Sequence, residues 1–179
     1  MPHLACRIRR VPNVRGFSLL ELLIVLVIFA IMASIAVPSF QSLRQQQQLT
    51  DASNELVAAL RLARGEAIMR EAVCTVNEAD EVKVTLSPRE NQDWTQGWRI
   101  DAKSTQGADT LIVHTALPIL LSGPSGETNF DALGHPCGND AEAEWRLSHA
   151  GLSDGASRQV CLTMIGRAYV AESDKGCGS

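Results

Sequence analysis

From Leu22 to Val37 the chain has one polar side chain, Ser34, and a carboxylate, Glu21, stands at the head of that run. Counting from Phe17 to Phe40 gives 24 residues, about 36 Å of α-helix at 1.5 Å per residue. That length crosses a bilayer core of about 30 Å with some tilt. An ionised carboxylate deep in hydrocarbon costs roughly 2.5–3.5 kcal/mol on insertion scales. Glu21 therefore marks a functional position, unless it snorkels to the interface from its place near the end of the run.

An ordinary secretory signal peptide competes with this reading. Arg7, Arg9, Arg10 and Arg15 supply a basic leader. The apolar run, however, exceeds the 7–15 residues of such a peptide, and Ala33-Ser34-Ile35-Ala36 is the nearest approach to a small-residue cleavage site. The small residue Gly16 instead precedes the run. Cleavage there removes the charges and keeps the apolar helix.

Gly16-Phe17-Ser18-Leu19-Leu20-Glu21 resembles the class III signal of type IV prepilins and type II secretion pseudopilins. The resemblance implies cleavage after Gly16 by a membrane-embedded prepilin peptidase and N-methylation of Phe17. It further implies that Glu21 neutralises the Phe17 amine of a neighbouring subunit in a filament. A buried carboxylate needs a paired cation, and a new N-terminus is one. Pro38 falls where the resembling family has a proline in a segment that unwinds within the filament. Physically, a proline inside a helix removes a hydrogen bond and clashes with the preceding turn, so a kink or local melting is expected near residues 34–38. A helix break at the membrane surface is the plainer alternative.

Leu60-Arg61-Leu62-Ala63-Arg64-Gly65-Glu66-Ala67-Ile68 is similar to the helix end of the FimT/FimU and GspH minor pilins. The implied role is that of a minor pilin of a type IV pilus, FimU/FimT-like, incorporated in the filament and helping to prime its assembly. A GspH-type pseudopilin of a type II secretion system, or a DNA-binding minor pilin for natural transformation, is the alternative. Implied partners are other minor and major pilins, the prepilin peptidase and an inner-membrane assembly platform, with contacts through the sheet side of the head and loops at 88–110 and 122–142. DNA-binding minor pilins of the FimT type carry a Gly-Arg-x-Arg turn near the C-terminus. Here Gly166-Arg167-Ala168-Tyr169 places a tyrosine at the second arginine. Arg158, Arg167, Tyr169 and Lys175 are thus the candidate DNA contacts, Tyr169 by stacking, with Glu172 and Asp174 opposing them.

The leader holds four of the 16 basic residues and none of the 20 acids, so its removal changes the net charge from −4 to −8. Bulk attraction to nucleic acid, which needs clustered Lys and Arg, is disfavoured. The positive-inside rule places residues 7–15 in the cytoplasm and everything after Phe40 outside. Cys6 leaves with the leader, and Cys74, Cys137, Cys161 and Cys177 remain. Four cysteines in an extracytoplasmic domain suggest two disulfides with three possible connectivities. A terminal hairpin flanked by Cys161 and Cys177 favours that pair and leaves Cys74 with Cys137. A metal site at His135 and Cys137 lacks any accompanying CxxC or HxxxH spacing.

Leu49, Ala52, Leu56, Leu60, Ala63 and Ala67 recur at steps of three and four, one face of an amphipathic helix. Val82, Val84 and Leu86 alternate with polar residues, the pattern of a half-buried strand. Further strands are expected at 72–76, 98–101 and 111–115, and at 160–164 and 167–171 around a tight turn at Ile165-Gly166. The glycines and prolines of 122–140 read as loop. Ser122-Gly123-Pro124-Ser125-Gly126-Glu127-Thr128 lacks the lysine of a phosphate loop. The histidines come with no nucleophile elbow or HExxH, so no enzyme, cofactor or metal is implied. Trp94, Trp98 and Trp145 read as packing residues.

The expected fold class is α+β, a type IV pilin-like fold in which a long N-terminal helix packs its amphipathic half on an antiparallel β-sheet head. The expected divisions are a cleaved leader at 1–16, a transmembrane and filament-core helix at 17–40, an amphipathic half at 41–71, and a periplasmic head at 72–179. The expected location is the bacterial inner membrane, single-pass, and then the filament.

Overall fold

Helix α1 runs from Leu19 to Met69, 51 residues in all. The computed structural model describes residues 17–75, 81–138, 142–152, 157–171 and 176–177, with the side chains of 35–39 excepted. The chain divides into two units, Met1–Phe40 and Gln41–Ser179. The helix is assigned without interruption through residues 35–39, and the unwinding that the resemblance implies at Pro38 concerns the assembled filament.

Within the second unit, the stripe Leu49, Ala52, Leu56, Leu60, Ala63 and Ala67 is almost wholly buried. The helix stops after Met69 by a defined device. The Ala72 N–H donates to the Ala67 carbonyl (2.8 Å) and the Glu71 N–H to that of Ile68 (3.3 Å), while Glu71 adopts a φ of 51°. This is a Schellman closure, which satisfies carbonyls that the last turn leaves over. Unusually, a glutamate rather than a glycine occupies its left-handed position.

Among the described residues eight strands follow: β1 (Lys83–Glu90), β2 (Asp93–Ser104), β3 (Gly107–Val113), β4 (Leu120–Ser122), β5 (Thr128–Phe130), β6 (Ala143–Ser148), β7 (Arg158–Leu162) and β8 (Ala168–Ala171). They form two four-stranded sheets, β3-β2-β1-β5 and β4-β6-β7-β8, and every pairing is antiparallel. Core residues of α1 and both sheets meet in a single cluster that includes Leu56, Leu60, Trp94, Trp98, Phe130 and Trp145. Trp94 meets Trp145 edge-on, ring centres 5.6 Å apart and planes at 84°, the geometry favoured by aromatic quadrupoles.

Several expected elements differ. The head has two sheets where one was expected. Residues 72–75 form no strand: they lead out of the helix closure into a bend at Cys74. The strand expected at 98–101 is the middle of the 12-residue β2. Residues 88–110, expected as a loop, are mostly the β1–β2–β3 meander. The 122–140 segment contains β5, which pairs with β1 in the register Val84↔Phe130 and Leu86↔Thr128. The connection after β7 spans residues 163–167, longer than the two-residue turn expected. Its chain reversal is held by the Thr163 N–H to the Arg167 carbonyl (3.0 Å) and the Gly166 N–H to the Thr163 carbonyl (2.8 Å).

Candidate functional site

The first turn of α1 is where the expected assembly residues lie. The Leu22 N–H donates to the Ser18 carbonyl at 3.1 Å, which makes Ser18 the capping residue of the helix. Ser18-x-x-Glu21 has the spacing of a capping box, and an acid in the first turn opposes the helix dipole favourably. Ser18 was not singled out from the sequence, although this spacing was its signal. Phe17 and Glu21 are both exposed. Gly16 lies outside the described residues.

Every described side chain from Leu19 to Ser34 is exposed, and nearly all are large and apolar, among them Leu19, Leu26, Phe29 and Met32. An apolar surface of this extent, far beyond the scattered apolar residues of an ordinary surface, marks a segment that is covered in use. Among the described residues, no helix is long and apolar enough to cross a membrane. The described side chains of this run end at Ser34, and those of 35–39, Pro38 included, lie outside the described set.

In the head, Cys74 is bonded to Cys137 and Cys161 to Cys177, each pair with Cα atoms 5.5 Å apart. The first bond fastens the exit of α1 to the loop after β5, and the second ties the C-terminal segment to β7. Because the Cys137 sulfur is committed to this bond, it is not a thiolate ligand, and His135 instead faces Asp131 at 3.6 Å. Between β4 and β5, residues 123–127 form a packing loop. Gly123 lies so close to the Trp145 indole that a Cβ there would stand 2.3 Å from its Cδ1, and Trp94 Nε1 donates to the Pro124 carbonyl at 3.0 Å.

The candidate DNA contacts are not gathered in one place. The Arg167 guanidinium lies 5.3 Å from the centre of the Tyr169 ring, a cation–π distance. Arg158 stands at the opposite end of β7 from that turn, about 13 Å along the strand at 3.3 Å per residue. Lys175 lies outside the described residues.

The outer face of the first sheet carries a polar row that no sequence motif announced. Asn129, Thr85, Asp101 and Thr110 occupy successive registers across β5, β1, β2 and β3. Arg99 grips Asp101 with Nε to Oδ2 at 2.6 Å and Nη2 to Oδ1 at 2.7 Å, and Thr110 Oγ1 donates to Oδ1 at 2.8 Å. Burial alone pushes the Asp101 carboxyl upward. The hydrogen bonds from Arg99 and Thr110 and the charges of Arg99 and Lys103 outweigh it and hold the group below its ordinary value.

An exposed apolar helix with an acid in its first turn, continuing into an amphipathic half packed on antiparallel sheets, defines a type IV pilin-like protein. The chain belongs to the GspH family of minor pilins and pseudopilins: the family described as "Type II transport protein GspH" matches residues 52–166. The "Prokaryotic N-terminal methylation motif" matches residues 12–37. Two proteins named "Fimbrial protein", both from Pseudomonas aeruginosa, are each 36% identical to this chain over 78 residues, 44% of this chain and 45% of theirs. The chain thus spans about half the length of the curated relatives it matches. No solved structure matches. The family and the methylation motif together place the chain among the pilin-type proteins.

Proposed function

We propose that this chain is a minor pilin of a type IV pilus, of the FimU/FimT kind, which enters the filament and helps to prime its assembly. The observation that carries this reading is the exposed apolar surface of Leu19–Ser34 headed by Glu21. In hydrocarbon, helix association rests on packing and on pairing of polar groups, and one acid at a fixed depth gives such a bundle its register. In this reading a peptidase cuts after Gly16, Phe17 is N-methylated, and Glu21 takes the Phe17 amine of a neighbour as its cation. Before assembly, residues 17–40 hold the subunit in the inner membrane with the head in the periplasm. Pro38 supplies the point at which the helix unwinds in the filament.

The GspH match over residues 52–166 favours a second reading, a pseudopilin of a type II secretion system. The cation–π pair of Arg167 and Tyr169 supports a third, a DNA-binding minor pilin for natural transformation. Intact mass and N-terminal sequence of the membrane-extracted protein, with and without the prepilin peptidase, test the shared core. An N-methylated Phe17 that depends on the peptidase is expected, and an uncleaved Met1 start overturns it. Deleting the gene and scoring surface pili, protein secretion and DNA uptake separates the three readings.

A further inference from the structure

Five large apolar side chains stay exposed together where α1 ends. Ile68 and Met69 close the helix, Leu133 sits in the loop after β5, and Met164 and Ile165 form the β7–β8 turn, with exposures between 45% and 72%. Two glycines lock these elements to one another. A Cβ on Gly166 would fall 1.9 Å from the Gly134 carbonyl oxygen, and one on Gly134 would meet Arg64 Nε at 2.6 Å and Ile68 Cδ1 at 2.9 Å. Both residues have positive φ, 75° and 77°, a conformation glycine adopts without strain. The patch is therefore preformed on a meshed scaffold, not a set of loose loop tips.

Its surroundings are cationic in an otherwise acidic chain. Arg61 and Arg64 share a helix stripe with Ile68 at steps of three and four, and Arg167 follows Gly166. Among the described residues, none of these three arginines makes an ion pair, and the buried Arg64 Nε has no hydrogen-bond partner. The neighbouring acids are mostly engaged elsewhere. Asp131 Oδ1 accepts from the Leu133 and His135 N–H groups at 3.0 and 2.7 Å, and Glu66 pairs with Arg70 at 2.8 Å. Glu71 remains beyond the helix end.

We infer that this patch is a docking face for the head of a different pilin-type subunit, one that presents an apolar surface bearing carboxylates. The inference rests on the filament-subunit reading above. A two-fold pairing of the patch with itself would bring one cationic rim against another, so the complementary surface is not this patch. Met69 lies 28 residues along α1 from Gln41, about 40 Å of helix. Apolar anchors with a charged rim are the arrangement in which exposed aliphatic side chains give affinity and the charges select the partner.

The test is a photo-reactive amino acid placed at Ile165 in the full-length protein in its native membrane, with the same residue at Leu120 on β4 as a control. Expected is one major adduct at position 165 with another pilin-fold subunit, mapped to an apolar segment containing Asp or Glu and absent at position 120. Arg167→Glu should lower its yield at least tenfold, and Arg167→Lys should largely restore it. Adducts only with a second copy of this chain, only with lipid, or none at all overturn the inference. Processing at Phe17 is read on the same sample. If Phe17 is correctly processed and no such adduct forms, the docking face fails alone; an unprocessed chain sinks the filament reading itself.

Discussion

Lys83 and Lys103 stand directly opposite each other on β1 and β2, and both reach the same carboxylate. Glu127 takes Lys83 Nζ at 3.3 Å on one oxygen and Lys103 Nζ on the other. Like charges facing across a ladder repel by up to about 1 kcal/mol, and the glutamate converts that repulsion into a bridge. Thr85 lies two residues along β1 from Lys83 and is fully buried on this polar face.

Glu127→Gln should therefore lower stability at neutral pH. Partial exposure keeps the loss near 1 kcal/mol, a few degrees in Tm. Burial pushes the Glu127 carboxyl upward, and hydrogen bonds and charge from Lys103 and Lys83 outweigh it, so it titrates below its ordinary 4.5. A depressed folded value means that the contribution is complete above about pH 4.5 and fades as pH falls through the folded value. Thermal melts of wild type and variant in detergent should diverge at pH 7 and converge towards pH 3. A gap that persists unchanged in acid would contradict the electrostatic account.

Glu71 occupies the left-handed position of the helix closure at φ 51°, where an L-residue with a Cβ is strained by about 1 kcal/mol. Glu71→Gly should raise stability by about 0.5–1 kcal/mol despite the added freedom of the unfolded chain. Denaturant melts that show a loss would mean the Glu71 side chain makes a contribution that its backbone geometry does not reveal.

What could be read in the sequence was what repeats locally. The stripe from Leu49 to Ala67 has the period of a helix and is buried along its length, and Val84 and Leu86 alternate as a strand does. Three-residue strands have no period to read: β5 hides among glycines and prolines, and only its register with β1 makes Thr128–Phe130 a strand. Residues 72–75 look strand-like in composition, but a helix closure on one side and the Cys74 bond on the other use them up. Thr85 and Asp101 are polar residues buried by neighbouring strands of the sheet, so that burial shows only once the strands are paired. The N-terminal motif was legible because its chemistry is contiguous, and the apolar patch around Leu133 was not, because three separate elements build it.

The two disulfides close loops of different size, with sequence separations of 63 for Cys74–Cys137 and 16 for Cys161–Cys177. In the chain-entropy model the longer loop contributes about 4 kcal/mol and the shorter about 3. Replacing both cysteines of a pair by alanine should thus cost more at 74 and 137 than at 161 and 177, by about 1 kcal/mol. Urea titrations of the two double variants check the order. A reversal would show that the C-terminal tether on β7 matters more to the head than the fastening of the helix exit.

Glu21→Gln separates the assembly role of this residue from its capping role. The amide keeps a polar group in the first turn of α1 behind Ser18, so the helix start survives, and the head, a separate unit beginning at Gln41, should melt at the same temperature as wild type. What the substitution removes is the charge. If Glu21 serves as the counter-ion to a neighbour's Phe17 amine, the variant is made and processed normally, yet enters filaments at least tenfold less often, because an amide leaves a cation unpaired in the apolar bundle. Quantitative immunoblots of sheared filaments against total membranes give the ratio. Incorporation at the wild-type level would mean that packing of the apolar run from Leu19 onwards sets the register without the acid, and Glu21 would then be left with the helix terminus alone.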